Sequence, residues 1–339
     1  MGTNEAWLVL NVEETLEPEL PICDPHHHLW DGRPGDYVED RYLLDEFLAD
    51  LSTGHNIVST VFIECGAMFR ADGPEHMKCI GETEFVNGVA AMSASGRYGA
   101  CRMAAGIVGT APLRTGERET AEALDAQIAA GAGRFRGIRV GASADPSPDV
   151  PQGRLKPPVD LYANATFRAG FKHLAPRGLS FEAWCYHPQI PLLTDLATDF
   201  PDVTIILDHF GGPIGVGPYR GKEDEVFETW RASVAELAKR PNVVAKLGGL
   251  VMAVNGFDWH KQDRPPTSQE LMERTRRYYE HTIDVFGVDR CMFESNFPVD
   301  KMAASYNTLW NSFKRLTKDY SAAEKAALYH DTATRVYRL

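Results

Sequence analysis

The chain has 339 residues, a net charge of −12, 44% hydrophobic residues and 24% charged residues. That balance fits a soluble globular protein with a full-sized core, and the acidic excess argues against nucleic acid or an anionic membrane as partner. The opening MGTNEAWLVL lacks a basic segment ahead of a long apolar run, and no apolar stretch nears the ~20 residues of a transmembrane helix, so the expectation is a cytoplasmic protein.

In chain order, short apolar runs recur at 21–24, 57–65, 101–108, 135–140, 179–186, 203–207, 243–247 and 290–294. Each is rich in Val, Ile, Leu or Phe, as strands buried on both faces are. Amphipathic stretches lie between the later ones. Residues 118–130, 191–199, 226–239 and 268–286 read as helices, and 321–329 opens on SAAE, a capping box. Strands alternating with helices predict a parallel sheet with right-handed crossovers, and eight strands are the number that closes a barrel. The fold class is therefore α/β, a (β/α)8 TIM barrel. It forms one domain over 1–339 with residues 1–19 as an N-terminal extension. The six cysteines form no CxxC pair and read as buried reduced thiols. Two connections are long. Residues 142–166 hold five prolines and follow the fourth strand, and residues 248–267 follow the seventh. Both leave strand C-terminal ends, the face on which such barrels carry their sites.

The strand ends on that face are polar. In CDPHHHLWDG, strand alternation puts Asp24, His26 and His28 on one face and His27 on the other. The second run ends at Glu64 and the fourth at Arg139. The fifth ends in AWCYHP, with Trp184 and His187, and the sixth in LDHFGGP, with Asp208 and His209. The eighth ends in FESNFPVD, with Glu294, Asn296 and Asp300. Imidazoles and carboxylates converging on one rim are the donor types of a divalent-metal site, and also of acid–base chemistry.

DPHHHLWD, FRGIR, CYHPQ, LDHFGGP, FESNFPVDK and ALYHDTATRVYRL, spread from residue 21 to 339, together resemble the amidohydrolase-related metal-dependent hydrolases. The similarity is greatest to the branch of sugar-lactone and pyrone-dicarboxylate lactonases. The resemblance implies that His26 and His28 are metal ligands or substrate-polarising histidines, and that His187 and His209 match the fifth- and sixth-strand histidines. It also implies that Arg139 holds a substrate carboxylate. The family's eighth strand ends in Gly-Ser-Asp, whose Asp activates water. Here the triplet is Glu294-Ser295-Asn296, and an amide cannot take a proton as a carboxylate does. Glu294, Asp300 and Glu64 are the carboxylates that can replace it.

The expected function is hydrolysis of a small, anionic cyclic ester. His26 and His28 would hold one divalent metal, Zn or Mn, with Glu64 or His187. A metal-free variant, with the histidines donating to the carbonyl, is the alternative. His187, His209, Asn296 and Glu294 are the catalytic candidates, and Arg139, Trp184 and Asp300 the substrate-binding ones. Rival readings are an aromatic-acid decarboxylase of the same superfamily and a catalytically impaired binding barrel. An isologous homo-oligomer is the base-rate expectation for assembly.

Overall fold

Eight strands that bury both faces lie side by side in the order of the chain. The computed structural model describes residues 4–32 and 39–339. The strands are β1 (Ile22–His27), β2 (Ile57–Ile63), β3 (Arg102–Gly109), β4 (Phe135–Arg139), β5 (Ser180–Ala183), β6 (Ile205–Leu207), β7 (Val243–Leu247) and β8 (Cys291–Phe293). Each pairs in parallel with the next. The seam between β8 and β1 is made just beyond β8. Asn296 N–H donates to His26 O at 3.0 Å, and His28 N–H donates to Phe297 O at 2.8 Å. The result is a (β/α)8 barrel with its helices outside. No helix among the described residues is long and apolar enough to cross a membrane.

β5 ends earlier than its apolar run suggests, whereas β1 and β3 extend past theirs. The 179–186 run forms a ladder only over Ser180–Ala183, because Trp184 and Tyr186 leave it to line a cavity at the mouth. Helices Glu117–Ala130, Ile190–Asp199, Glu223–Leu237 and Ser268–Phe286 stand where the sequence pattern puts them. The SAAE box caps Ala322–Ala326, with Ser321 N–H donating to Glu324 Oε2 at 2.8 Å. Helix Tyr306–Leu316 buries polar side chains as well as apolar ones. Asn307, Asn311 and Lys314 donate to backbone carbonyls of Glu13, Glu14, Leu16 and Glu17 in the N-terminal segment.

Asp24 departs from strict alternation. The β1 register shifts between Asp24 and His27, so Cys23 and His26 both turn inward. Asp24 instead accepts from Ser295 N–H at 3.0 Å and from Tyr306 Oη, on an outer helix, at 2.9 Å. It fastens the seam and does not join the rim. His27 faces outward as expected, 4.3 Å from the Phe47 ring, with Nε2 at 2.9 Å from Thr60 Oγ1.

Inside the barrel the lower layer is apolar: Cys23, Val61, Val108, Ile206, Val244 and Met292 pack on Ala333, Val336 and Tyr337 of the C-terminal helix Thr332–Tyr337. The layer above is charged. His26, Arg139, Glu182, Asp208, Lys246 and Glu294 are all buried there.

Candidate active site

The charged layer is a set of interlocked pairs. Lys246 Nζ is 2.8 Å from Glu182 Oε2 and 3.5 Å from Asp208 Oδ1. Tyr337 Oη donates to the other oxygen of Glu182, tying the floor to the layer above it. Arg139 Nε donates to Glu64 Oε1 at 3.0 Å, and its Nη1 lies 3.6 Å from Asp208 Oδ2 and 3.3 Å from His26 Nε2. Burial disfavours both cations, but their carboxylate neighbours outweigh it and raise both above their ordinary values. Burial also pushes the Asp208 carboxyl up. The Lys246 ammonium and a hydrogen bond from Glu182 overcome that push and hold it down at about 2, while burial drives Glu182 well above the carboxylate range. Burial and the nearby Lys246 cation keep His26 neutral.

Glu294 joins two histidines. His209 Nδ1–H donates to Glu294 Oε1 at 2.7 Å, and His26 Nδ1 lies 2.7 Å from Oε2. A carboxylate is acceptor-only, so His209 Nδ1 carries hydrogen and its Nε2 carries the lone pair. His209 lines the cavity, with Trp184 edge-on at 4.9 Å.

The backbone is bent to allow this. His209, Phe210 and Asn296 adopt φ of 50°, 59° and 54°, the left-handed region, which costs on the order of 1–3 kcal/mol per residue and gathers at functional sites. Two glycines after β7 clear the space: a Cβ on Gly248 would stand 2.4 Å from Glu294 Cγ, and one on Gly249 would stand 2.3 Å from His209 Nδ1.

Six of the residues singled out in the sequence line one cavity of about 340 Å³: His28, Glu64, Arg139, Trp184, His209 and Asn296. His26 and Glu294 lie beneath them. His28 donates Nδ1–H to Ile63 O at 2.8 Å, and its ring centroid is 4.9 Å from that of His26. Glu64 is shared by Arg139 and by Arg154 Nη2 at 2.9 Å. Asp300 stands behind Asn296 and accepts from its Nδ2 at 2.8 Å. Burial, reinforced by Glu294, raises Asp300 well above the carboxylate range. His187 is not part of the lining. The turn His187–Gln189 carries it under Tyr219, where Nδ1 accepts from Ile214 N–H at 3.3 Å and burial lowers it to about 4.

His26, His209 and Glu294 form a group that could hold a metal ion, with donor atoms all within 4.8 Å of one another. The donor types suit Zn or Mn. Two permanent cations, Lys246 at 3.2 Å and Arg139 at 3.3 Å, already flank the ring nitrogens of His26.

The sequence pattern passed over three residues. Lys246 and Glu182 sit inside otherwise apolar strands, VVAKL and SFEA. A charge within a strand buried on both faces was the readable signal. Arg154 lies in the proline-rich loop and carried no signal.

The amidohydrolase family pattern matches residues 23–339. An uncharacterised protein of Sinorhizobium fredii, y4mH, is 37% identical over 95% of this chain and 99% of its own length. An L-fucono-1,5-lactonase of Burkholderia multivorans is 30% identical over 52% of this chain and 57% of its own length. Among solved structures, a Burkholderia multivorans amidohydrolase, seen with bound HEPES in one crystal form and bound zinc in another, superposes with a TM-score of 0.71 and 25% identity, covering 94% of this chain and 99% of that one.

Proposed function

The chain belongs to the amidohydrolase family, and from that premise we propose that it hydrolyses a lactone of a small molecule, with His209 as general base and Glu294 as the group that orients it. The observation that carries this reading is the 2.7 Å bond from His209 Nδ1 to Glu294 Oε1. It fixes the tautomer in which Nε2 accepts a proton, and it stabilises the imidazolium that follows, the same division of labour as in a serine-protease triad. Glu294, two residues before Asn296, thus supplies the carboxylate missing from the family's usual position. It works through His209.

In the proposed reaction, water attacks the lactone carbonyl carbon while its proton passes to His209 Nε2. The C–O ring bond then breaks, the leaving alkoxide takes the proton back from His209, and a hydroxy acid results. Asn296 has given Nδ2 to Asp300, so the amide presents Oδ1 and accepts the second hydrogen of the attacking water. Arg139 and Lys246 supply fixed positive charge beneath the carbonyl oxygen as it becomes an oxyanion, in a setting whose dipoles need no rearrangement. The lactonase relative supports the substrate class.

Acid release from a panel of lactones tests the reading. His209→Gln should lower kcat by about 10²–10⁴ with the melting temperature little changed, and chelation should leave wild-type turnover intact. Full turnover by His209→Gln, or CO2 release from aromatic acids in place of acid release from lactones, would overturn it. Loss of turnover on chelation, restored by Zn or Mn, would replace the base-driven water with a metal-bound one.

A further inference from the structure

The charges around Glu64 suggest what the substrate looks like. Arg139, the sequence's candidate for a substrate carboxylate, is fully engaged: two of its nitrogens are on Glu64, a third faces His26 and Asp208, and its side chain is 8% exposed. Arg154 is different. It comes from the proline-rich loop, gives Nη2 to Glu64 Oε2 at 2.9 Å, and keeps 39% of its side chain exposed. Its seat is built. Gly66, at φ 79°, leaves room where a Cβ would stand 2.5 Å from the guanidinium carbon, and the Phe69 ring lies 5.9 Å from that carbon. Glu64 is shared by the two guanidiniums, and Arg154 is the more accessible of them at the rim. Among the described residues lining the cavity, Arg139 and Arg154 are the only lysine or arginine side chains. Much of the remaining wall is apolar: Leu155, Trp184, Met252, Val254 and Met302.

Resting on the lactone-hydrolase reading, we infer that the substrate carries a single carboxylate, bound by Arg154, on an apolar body that packs against Trp184 and the two methionines. A guanidinium with free N–H groups beside a pre-placed partner takes a carboxylate in a bidentate fork. An aromatic and methionine wall gains from apolar area. Arg154 is on this account the specificity residue, and Arg139 positions Glu64 and the charged layer below.

Binding calorimetry at neutral pH tests this without turnover, using 3-phenylpropanoate and its neutral amide as probes. Wild type should bind the acid at least tenfold tighter than the amide. Arg154→Gln should abolish that preference and Arg154→Lys keep part of it, with thermal melting showing that each variant is folded. Equal binding of acid and amide by wild type, no binding of either, or a preference that survives in Arg154→Gln would overturn the inference. A preference lost only in Arg139→Gln would move the anion site to that residue. Because the probes are not esters, failure of lactone hydrolysis leaves this measurement standing, and a lost acid preference leaves the hydrolysis reading standing.

Discussion

The two layers inside the barrel are built by the same strands and obey opposite rules. In the lower one, Val244 and Ile206 bury apolar surface against the C-terminal helix, and any well-packed apolar side chain of similar volume would serve. Two residues further along the same strands stand Lys246 and Asp208, where charge can be kept only because each ion has a named partner. Burial stabilises the first layer. In the second it is a cost that the ion pairs must offset, and removing one partner exposes that cost in full.

The sharpest way to break the contrast is Lys246→Met. It leaves Asp208 and Glu294 buried without their ammonium and should cost about 3–5 kcal/mol in urea unfolding, with activity lost in the molecules that remain folded. Ile206→Ala, one layer down, should cost roughly 2–5 kcal/mol as a cavity while turnover per folded molecule stays near wild type. If both variants lose activity per folded molecule alike, the layers are not separable.

The charged layer continues outward through Glu64 to Glu82, whose Oε1 accepts N–H bonds from Cys65 and Ala67. Burial, then the Glu64 charge, pushes Glu82 up to about 7 from an ordinary value of 4.5. A carboxyl raised in the folded state contributes stability below its unfolded pKa, and that contribution is lost as pH rises through the folded value. Between pH 4.5 and 7 the loss should approach about 3 kcal/mol. Glu82→Gln should flatten that slope when urea midpoints at pH 5 and pH 8 are compared, and an unchanged slope would place the titration elsewhere. The smallest effect is expected for Tyr337→Phe, which removes one hydrogen bond from Glu182 and keeps the ring in the floor. It should cost about 1 kcal/mol in unfolding, and a cost much above this would mean that the two layers are coupled through that bond.

The lower layer was legible in the sequence because apolar runs report burial on both faces directly. So were the histidines and carboxylates just beyond the strands, since polar residues next to apolar runs stand out. What lay inside the runs was harder to read. A single Lys or Glu in a strand looks like an exposed edge until its partner, 64 residues away for Lys246 and Glu182, is seen beside it. The β1 register shift hid the turning of Asp24 toward Tyr306, because alternation assumes an unbroken ladder. His187 was one step too late in the chain: the turn at that point had already left the rim. Arg154 depended on how a proline-rich loop folds back over the barrel, which no period in the sequence encodes.

Gly248 and Gly249 also bear on how this site can change under mutation. Every amino acid reachable from a glycine codon by a single base change has a Cβ, and at these two positions a Cβ collides with Glu294 or His209. The pair is therefore a dead end for point mutation even though neither glycine has a side chain to do chemistry. A library built to alter substrate choice would hold both codons fixed and vary Met252 and Val254, a few positions along the same loop, where new side chains meet the cavity without touching the base.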